Sequence, residues 1–555
     1  MRSFLPTLLL AITTVTSAQS IVYPNTKTVD ISDTYFGQTI VDPYRWLEYD
    51  TSHDVEEWQN EQNQFSEKYL RKNAARFKTT TGVYQFGNYS TRTLNNENDR
   101  LFVINEGGLG PGLYFKKKGD VQLVIRPLKY GRHKDISFFV ASKDKKLVAV
   151  GLSDAGSDWD EVRIKNLETE KNYTEVVKGI KFGRVAWQGA GFFYCRYSMP
   201  TEAQLLSAKN VELGVFYHKL GEDQRNDKLI YTENNPSNII HVETTDDERF
   251  LIIYGNDIRN QQPYSKLMYI DFSDPSFVKP RIFLMMPKAN IEVVDNIADS
   301  LFIISDYKAP KKRIFTCNPK RPNKINLVVA ENDEPLSQVT IIDNKLICLY
   351  KENANYFSMV YDFSGKALHK MSFPLGSDVV GFQGTKDQIK TRYRCNTFTY
   401  PPITYEYDLR TFATKSVSVS AINYDYTKFI TVQDFYTSKD GTKIPIYIVY
   451  KKNLKTNGSN PCLLYGYGGF GISMTPFFEA GLMHFLDRGG VLAAPCIRGG
   501  GEYGEQWHKG GSLLNKQNSF DDFIAAAEYM ISKNFTNSSK LAMMGASNGA
   551  SWLEQ

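Results

Sequence analysis

Near its C-terminus the chain reads Lys540-Leu541-Ala542-Met543-Met544-Gly545-Ala546-Ser547-Asn548-Gly549, an apolar segment followed at once by a Gly-x-Ser-x-Gly motif. The apolar residues predict a short buried strand, and the two glycines allow a sharp turn where a side chain would clash. A serine on such a strand-to-helix turn, the nucleophile elbow, exposes a hydroxyl that can attack a carbonyl carbon. Ser547 is therefore the candidate nucleophile, and the alternative interpretation is a turn of small residues without chemistry.

The region before the motif alternates between strands and a helix. Apolar strands are predicted at Cys462–Tyr465 and Val491–Pro495, and a helix at 520–532 with Asp521 and Asp522 in its first turn. Asp440-Gly441 predicts a hairpin turn upstream. Strands that alternate with helices indicate a mostly parallel sheet covered on both faces, so the predicted fold class is an α/β-hydrolase domain.

An acyl-transfer serine needs hydrogen-bond donors for the oxyanion that forms on the substrate. The backbone N–H of Asn548, the residue after the nucleophile, is the expected first donor. The second is expected from the glycine-rich turn at 464–470, where Tyr467 offers a phenol O–H. The same turn also fits a tight loop packed by aromatic side chains.

The histidine base of such a site is not found where the fold order requires it. In α/β-hydrolases the carboxylate and the histidine follow the serine, and no histidine follows Ser547 in the 555 residues. His508 precedes the serine and is expected to be structural, and His484 lies in an apolar helical stretch and is expected in the core. The sequence thus indicates a chemistry for which it contains one of three groups.

A repeated unit of short strands occupies the middle of the chain. Each unit has an apolar strand, a loop and a second strand rich in aromatic residues, at intervals of 43 to 59 residues that average 48. Repeats of this length are typical of β-propeller blades, and seven units predict a seven-bladed β-propeller. A stack of ordinary β-hairpins is the alternative. The apolar strands begin at Leu101, Leu147, Gly191, Phe250, Leu301, Leu346 and Ile389.

The N-terminus has the features of a secretory signal peptide. Arg2 supplies a positive charge, residues 4–15 are mostly apolar, and residues 16–18 are small enough for cleavage near Ala18. A buried N-terminal strand is the alternative. Secretion would make the Asn-x-Ser/Thr sites glycosylation candidates, and these are Asn88, Asn172, Asn457, Asn534 and Asn537.

Composition narrows the function classes further. Hydrophobic residues make up 42% and charged residues 23%, with 34 Tyr, 34 Phe and a net charge of +5, which indicates a globular, β-rich chain. Without a dense basic run, nucleic acid binding is not expected, and without a second long apolar run neither is a membrane span. The six cysteines lack metal-ligand spacing and several fall in apolar strands, so we expect no cofactor and expect those thiols to be buried.

Several motifs together resemble the prolyl oligopeptidase family, over nearly the whole chain after the signal. They are Tyr465 to Phe470, residues 498–504, 507–511, 515–518 and 520–523, Gly545 to Gly549, and upstream 42–48, 156–159 and 438–445. The resemblance implies a seven-bladed propeller that caps an α/β-hydrolase domain and excludes folded proteins. It implies hydrolysis of short peptides after proline, with Ser547 as nucleophile, Tyr467 and the Asn548 amide as oxyanion donors, and Phe470 as a wall of the substrate site.

The resemblance also implies the domain organisation. We expect a signal peptide at 1–18, the first part of the hydrolase domain at 19–85, the propeller at 86–420 and the catalytic domain at 421–555, in a monomer that binds short proline-containing peptides. The sequence departs from the family at Ala546, at Ala550 and after residue 550. The family's aspartate and histidine would lie beyond residue 555, so we expect a truncated catalytic domain without activity.

Other functions remain open from the sequence. The propeller of a former peptidase can serve as a binding platform without catalysis. Peptidases that cleave after basic residues, or that remove dipeptides, share the architecture, although the turn at 465–470 and the Ser547-Asn548-Gly549 elbow favour proline specificity. A parallel sheet that ends at the nucleophile strand would expose apolar surface, and we expect such a chain to aggregate.

Overall fold

A computed structural model describes most of the chain. The described residues are 21–48, 52–72, 75–87, 90–93, 100–105, 110–117, 119–154, 156–181, 183–198, 212–235, 238–257, 264–274 and 279–552. The predicted signal peptide, Asn88 and residues 553–555 lie outside them. The chain forms two compact units, Met1–Gln85 and Phe86–Gln555.

The first unit contains a short hairpin and helices. Strands β1 (Ser32–Tyr35) and β2 (Gln38–Val41) pair antiparallel, and the helices are α1 (His53–Arg71) and α2 (Ala75–Gly87), the latter ending just inside the second unit. Helix α1 confirms the amphipathic helix that the alternation of charged and aromatic residues between Val55 and Leu70 predicts. Ser52 starts it by accepting a hydrogen bond from the Val55 amide at 3.3 Å.

The second unit begins with seven antiparallel sheets, which confirm the seven-bladed propeller. The first three blades comprise β4 (Arg100–Asn105), β5 (Pro111–Lys117), β6 (Asp120–Ile125), β7 (Lys134–Ala141), β8 (Leu147–Asp154), β9 (Trp159–Asn166), β10 (Asn172–Lys181), β11 (Ala186–Gln188), β12 (Gly191–Arg196), β13 (Gly214–Lys219) and β14 (Lys228–Thr232). The next two comprise β15 (Asn238–Thr244), β16 (Phe250–Asp257), β17 (Tyr264–Asp271), β18 (Arg281–Pro287), β19 (Ile291–Ile297), β20 (Ser300–Ser305), β21 (Arg313–Cys317) and β22 (Ile325–Val329). The last two comprise β23 (Leu336–Ile342), β24 (Lys345–Glu352), β25 (Asn355–Tyr361), β26 (Ala367–Ser372), β27 (Ser377–Gln383), β28 (Lys390–Thr397), β29 (Ile403–Asp408) and β30 (Thr414–Ala421).

In six of the seven repeats, the two predicted strands are the two central strands of a blade; in the first repeat they are β4 and β5 of a three-stranded sheet. In the four-stranded blades they are the second and third strands, as in β20 and β21, and both central strands are flanked by further strands that the pattern did not reveal. Central strands are buried on both faces and read as apolar runs, whereas outer strands such as β22 are largely exposed and carry a weaker signal.

A strand from the start of the second unit completes the last blade. Strand β3 (Ser90–Thr93) pairs antiparallel with β30, so this sheet contains strands separated by more than 300 residues of sequence. Pairing the two ends of the repeat array in one sheet covers an edge that a single-ended array would leave open.

The α/β sheet has five strands in the order β31-β32-β34-β33-β35. The predicted hairpin around Gly441 is confirmed as the antiparallel pair β31 and β32. The prediction of a mostly parallel sheet is wrong, because β32 also pairs antiparallel with β34, and only β33 pairs parallel, with β34 and β35. The strands are β31 (Phe429–Thr437), β32 (Lys443–Lys451), β33 (Cys462–Tyr465), β34 (Val491–Pro495) and β35 (Leu541–Met544), and the helices are α3 (Ala480–Asp487), α4 (Glu505–Lys509) and α5 (Lys516–Ser532).

Helices cover both faces of this sheet, as predicted. Strand β34 is buried along its whole length; Leu492 and Ala494 pack in a cluster with Met483 of α3, and Val491 packs on the other face with Phe523 of α5. Alternate strand residues point to opposite faces, so each helix receives one half of the strand's apolar surface.

Two predictions in this domain are wrong. Helix α5 begins at Lys516, four residues before the predicted start, so Asp522 lies inside the helix and pairs with an arginine instead of the helix end. Strand β35 exists as predicted but is not buried: it pairs only with β33 among the described strands, and Met543 and Met544 are 47% and 40% exposed. An edge strand without a covering element presents its side chains to solvent.

None of the helices in the described ranges is long and apolar enough to cross a membrane. The proposed domain boundaries and the monomeric state stay predictions.

Candidate active site

The predicted elbow is present in the structure. Ser547 follows the two-residue loop at 545–546, which comes directly after β35. The residue is exposed and has a left-handed backbone with φ of +51°. A Cβ at Gly545 would overlap the carbonyl of Gly549, and the Gly549 amide donates to the Ala546 carbonyl at 2.8 Å. The tight bend therefore requires glycine at its first position and strains the serine at its apex.

The elbow contacts the glycine-rich turn that the sequence paired with it. The Asn548 side-chain amide donates to the Tyr467 carbonyl at 2.7 Å, and the Gly466 amide donates to the Met544 carbonyl at 3.2 Å. A Cβ at Gly469 would lie 2.5 Å from Asn548 Nδ2. The glycines of this turn thus let its backbone approach the elbow, and the structure brings Ser547, Asn548 and Tyr467 together.

The aromatic residues of the turn are partly or fully accessible. Tyr467 is half-buried, and Phe470 is 75% exposed on a left-handed backbone with φ of +54°. The Phe470 side chain therefore faces solvent on the turn that contacts the elbow and does not pack in the protein core.

The remaining glycines pack a second loop against this turn. Gly468 and Gly499 both have positive φ, and a Cβ at Gly499 or at Gly511 would overlap backbone atoms of the neighbouring loop. The Gly471 amide donates to the Gly499 carbonyl at 3.0 Å, and Lys516 Nζ donates to the Gly468 carbonyl at 2.8 Å. The glycine-rich stretch at 498–511 therefore supports the turn through close backbone contacts.

An ion-pair network that the sequence analysis missed supports the same loop. Arg498, which follows β34, donates from Nη2 and Nε to the carboxylate of Asp522 at 2.6 and 3.0 Å, and from Nη1 to Asp440 at 2.5 Å. Ser438 Oγ also donates to Asp522, at 2.5 Å. Asp522 is fully buried, so its charge requires these donors.

The network also affects the acidity of its exposed member. The hydrogen bond from Arg498 lowers the pKa of Asp440 to about 2, against the effect of burial. One feature of the sequence indicates this network. Arg498 follows a buried strand, and Asp521-Asp522 belong to a helix that packs on the same sheet. Residues 24 positions apart give no direct indication that they pair.

Neither histidine near the site is bonded to Ser547. His508 lies on α4 and its Nδ1 is 3.6 Å from Glu505 Oε2. His484 is buried in α3 beside Phe86, with ring centroids 6.4 Å apart, which confirms a packed core residue. Within the described part of the chain, no hydrogen bond joins the Ser547 hydroxyl to a base.

A buried glutamate lies behind the turn. Glu502 is 1% exposed and accepts a hydrogen bond from the Met474 amide at 2.6 Å, while its Oε2 has no partner among the described residues. Burial raises the pKa of Glu502 to about 7, although the positive charge of Lys351 opposes this shift. Lys351 belongs to propeller strand β24 and donates to Ser473 Oγ at 2.5 Å.

The cysteines and the predicted glycosylation sites lie outside the elbow and the turn that contacts it. All six cysteines are free and buried, which confirms the prediction of small buried side chains. Asn172, Asn457 and Asn534 are exposed, whereas Asn537 is half-buried and its Nδ2 donates to the Gly458 carbonyl at 2.5 Å. No cluster of His, Cys, Asp and Glu suited to a metal ion occurs in the ranges that the structure covers.

Comparison with known proteins identifies the family to which this fold and this serine elbow belong. Residues 23–420 match the family model for the "Prolyl oligopeptidase, N-terminal beta-propeller domain", and residues 477–553 match that for the "Prolyl oligopeptidase family". The chain is 33% identical over 537 residues to a prolyl endopeptidase of Elizabethkingia meningoseptica, covering 95% of this chain and 75% of that protein. For the prolyl endopeptidase of Elizabethkingia miricola the identity is 32%, with coverages of 96% and 76%.

Solved structures of prolyl endopeptidases and oligopeptidases resemble this chain in both fold and sequence. A structure from a study of two prolyl endopeptidases superposes with a TM-score of 0.86 at 27% identity, covering 96% of this chain and 80% of the other. Prolyl oligopeptidase B from Galerina marginata, bound to a 25-residue macrocyclization substrate, gives a TM-score of 0.83 at 27% identity, with coverages of 96% and 79%. With its propeller, its α/β sheet and its serine elbow, the chain belongs to the prolyl oligopeptidase family, whose members include serine peptidases.

Proposed function

We propose that the protein is a serine endopeptidase that hydrolyses short peptides on the carboxyl side of proline, with Ser547 as its nucleophile. The observation that carries the proposal is the elbow: an exposed serine with φ of +51° on a bend where Gly545 has no room for a side chain. Such strain persists where the surrounding structure holds the residue for function. The names of the relatives support proline as the residue before the cleaved bond.

The neighbouring groups have complementary roles in this proposal. The Asn548 amide and the Tyr467 hydroxyl donate to the oxyanion of the tetrahedral intermediate, and Phe470 forms a wall of the substrate site. The hydrogen bond between the Asn548 side chain and the Tyr467 carbonyl supports this, because it holds the two residues next to each other. Donors held in place before the reaction stabilise the transition state without further rearrangement.

The nucleophile is tested by covalent labelling of the native protein, purified from its source. A fluorophosphonate should modify Ser547, located by mass spectrometry of the tryptic peptides, and should abolish cleavage of a fluorogenic Gly-Pro peptide. Ser547→Ala should remove both labelling and cleavage, and Ser538→Ala, on the loop before β35, should retain both. Labelling of a different residue, or full cleavage by Ser547→Ala, would show that the assignment is wrong.

We further propose that a polypeptide of residues 1–555 alone does not cleave peptides at a measurable rate. No histidine follows Ser547 in this sequence, and loss of the base lowers the rate of a serine hydrolase by several orders of magnitude. The recombinant polypeptide should release no fluorophore above the rate of its Ser547→Ala variant. A difference between the two rates would contradict the proposal.

We propose that the protein enters the secretory pathway and is glycosylated. The charge, apolar stretch and small residues of 1–18 support this, as does the exposure of Asn172, Asn457 and Asn534. The mature protein should begin near residue 19 by N-terminal sequencing, and peptide N-glycosidase F should lower its mass. An unprocessed Met1 with no change in mass would exclude this localisation.

A further inference from the structure

A cleft separates the propeller from the loops that support the elbow. It has two cavities, of about 260 and 250 Å³, that share the residues Asn290 and Lys312. The first cavity is lined on one side by propeller residues and on the other by Gly471, which directly follows Phe470, and by His508. A peptide that reaches the proposed substrate wall at Phe470 can therefore continue into this cleft.

The first cavity contains an ammonium group without a counter-ion. Lys312 lines both cavities and is half-buried, and no carboxylate of the described residues lies within 4.0 Å of its Nζ. Its backbone is left-handed, with φ of +70°, which a lysine adopts only at a cost of about 1 kcal/mol or more. Lys312 therefore places an unpaired positive charge at the junction of the two cavities.

The acidic residues of the first cavity are already engaged. Asp306 accepts hydrogen bonds from the backbone and side-chain amides of Asn290, at 2.6 and 2.8 Å. Glu505 lies 3.3 Å from Lys509 and 3.6 Å from His508. The carboxylates lining this cavity thus have partners of their own and leave the charge of Lys312 available.

A second ammonium group faces the same cavity. Lys351, on β24, lines it as well. Burial lowers the pKa of Lys351, and the positive charge of Lys312 lowers it further, while the charge of Glu502 opposes the shift. Two lysines that repel each other across a cavity are both stabilised by an anion placed between them. The second cavity has the opposite character, because Glu243 and Glu292 line it.

We infer that the first cavity binds a carboxylate of the peptide substrate between Lys312 and Lys351, an inference that rests on the proposed peptide-binding function. The carboxylate comes from an acidic side chain or from the C-terminus of a short peptide. The acidic second cavity repels it, which keeps the anion in the first cavity. The site adds a preference for charge to a preference for proline, at a part of the substrate remote from the cleaved bond.

Peptide binding to the Ser547→Ala variant of the native protein tests the site without requiring catalysis. The probes are fluorescein-labelled nonapeptide amides with one proline, with Glu or Gln placed in turn at each of the four positions on either side of it. Fluorescence anisotropy should show about tenfold tighter binding for Glu than for Gln at one or two positions. In a second arm, the Gln peptides with a free C-terminus replace the amides, which separates a terminal carboxylate from a side-chain carboxylate.

Substitutions at Lys312 assign the effect. Lys312→Gln and Lys312→Gly should bring the Glu and Gln affinities within about twofold of each other, and Lys312→Arg should keep the preference. The glycine variant relieves the left-handed backbone, so its loss of preference cannot be attributed to misfolding. Lys308→Gln is the matched control, because Lys308 is exposed on the same loop, also has positive φ, and does not line either cavity.

The outcomes separate this inference from the proposed function. Equal affinity for Glu and Gln peptides and for both C-terminal forms, or a preference that Lys312→Gln and Lys312→Gly retain, overturns the carboxylate site while leaving peptide binding intact. If no proline-containing peptide binds at all, the proposed peptide-binding function fails and the carboxylate site fails with it.

Discussion

At the scale of single residues, the site depends on a backbone conformation that most side chains avoid. Ser547 has φ of +51°, and the bend around it leaves no space for a side chain at Gly545. A non-glycine residue in this region costs roughly 1–2 kcal/mol, which the folded structure has to offset elsewhere. The proposed role of Ser547 as nucleophile gives a reason to retain a residue that the backbone disfavours.

The strain at Ser547 predicts that glycine is more stable than alanine at this position. Ser547→Gly should be more stable than Ser547→Ala by about 1 kcal/mol, because glycine adopts positive φ without steric cost and alanine does not. Urea denaturation followed by tryptophan fluorescence measures the difference. The same two substitutions at Ser538, which has no positive φ, should give the reverse order, with glycine less stable. An alanine variant as stable as the glycine variant would contradict the strain at Ser547.

At the scale of secondary-structure elements, a buried ion pair fixes helix α5 to the end of β34. Arg498 and Asp522 are bonded through two side-chain hydrogen bonds, and the Arg498 amide donates a third to the same carboxylate at 3.0 Å. The pair also positions the loop at 498–504, whose glycines pack against the turn that contains Tyr467. Its contribution is to hold the loop, because a buried pair gives little net stability over an apolar one.

Removing one partner of this pair should be far more harmful than removing both charges. Arg498→Met leaves the Asp522 carboxylate buried without its main donor, and the free energy of unfolding should fall by about 3–5 kcal/mol. The double variant Arg498→Met/Asp522→Asn should recover part of the loss, which a double-mutant cycle of urea denaturation measures. Arg225→Met, in an exposed pair with Asp223, should change stability little. Additive losses in the cycle would show that the two residues do not interact.

The elements also show what the sequence could and could not predict. The elbow around Ser547 and the central blade strands were predicted, because local motifs and apolar runs encode them. The predicted start of α5 was wrong, since Lys516 in its first turn bonds to the Gly468 carbonyl, 48 positions away in the sequence. Outer strands such as β22 were missed because most of their residues are exposed and give no apolar run.

At the scale of the second unit, residues far apart in the sequence influence each other in ways that no local pattern reveals. Lys351 of the propeller and Glu502 of the hydrolase domain are 151 positions apart and influence each other's charge across the boundary between the two folds. The cleft with Lys312 lies at the same boundary. Such contacts result from the closure of the propeller ring, which places blades five and six over the loops next to the elbow.

The buried carboxyl of Glu502 should make the stability of this unit depend on pH. Its pKa is about 7 in the folded protein, against an ordinary value of 4.5 for a glutamate in an unfolded chain, so the folded state binds the proton more tightly. The contribution of this group is therefore fully present below about pH 4.5, and is lost as the pH rises through 7, by up to about 3 kcal/mol. Other carboxyls contribute to the total change, and a variant isolates the part that belongs to Glu502.

Glu502→Gln removes this titration and keeps the shape and the acceptor for the Met474 amide. The decrease in the free energy of unfolding between pH 5 and pH 8, measured by urea denaturation, should be smaller in Glu502→Gln than in the unsubstituted protein, by about 2–3 kcal/mol. Glu528→Gln, on the exposed face of α5, should follow the unsubstituted protein at both pH values. If Glu502→Gln loses as much stability over this range as the control, the carboxyl is ionised at both pH values, and Lys351 stabilises its charge more strongly than burial opposes it.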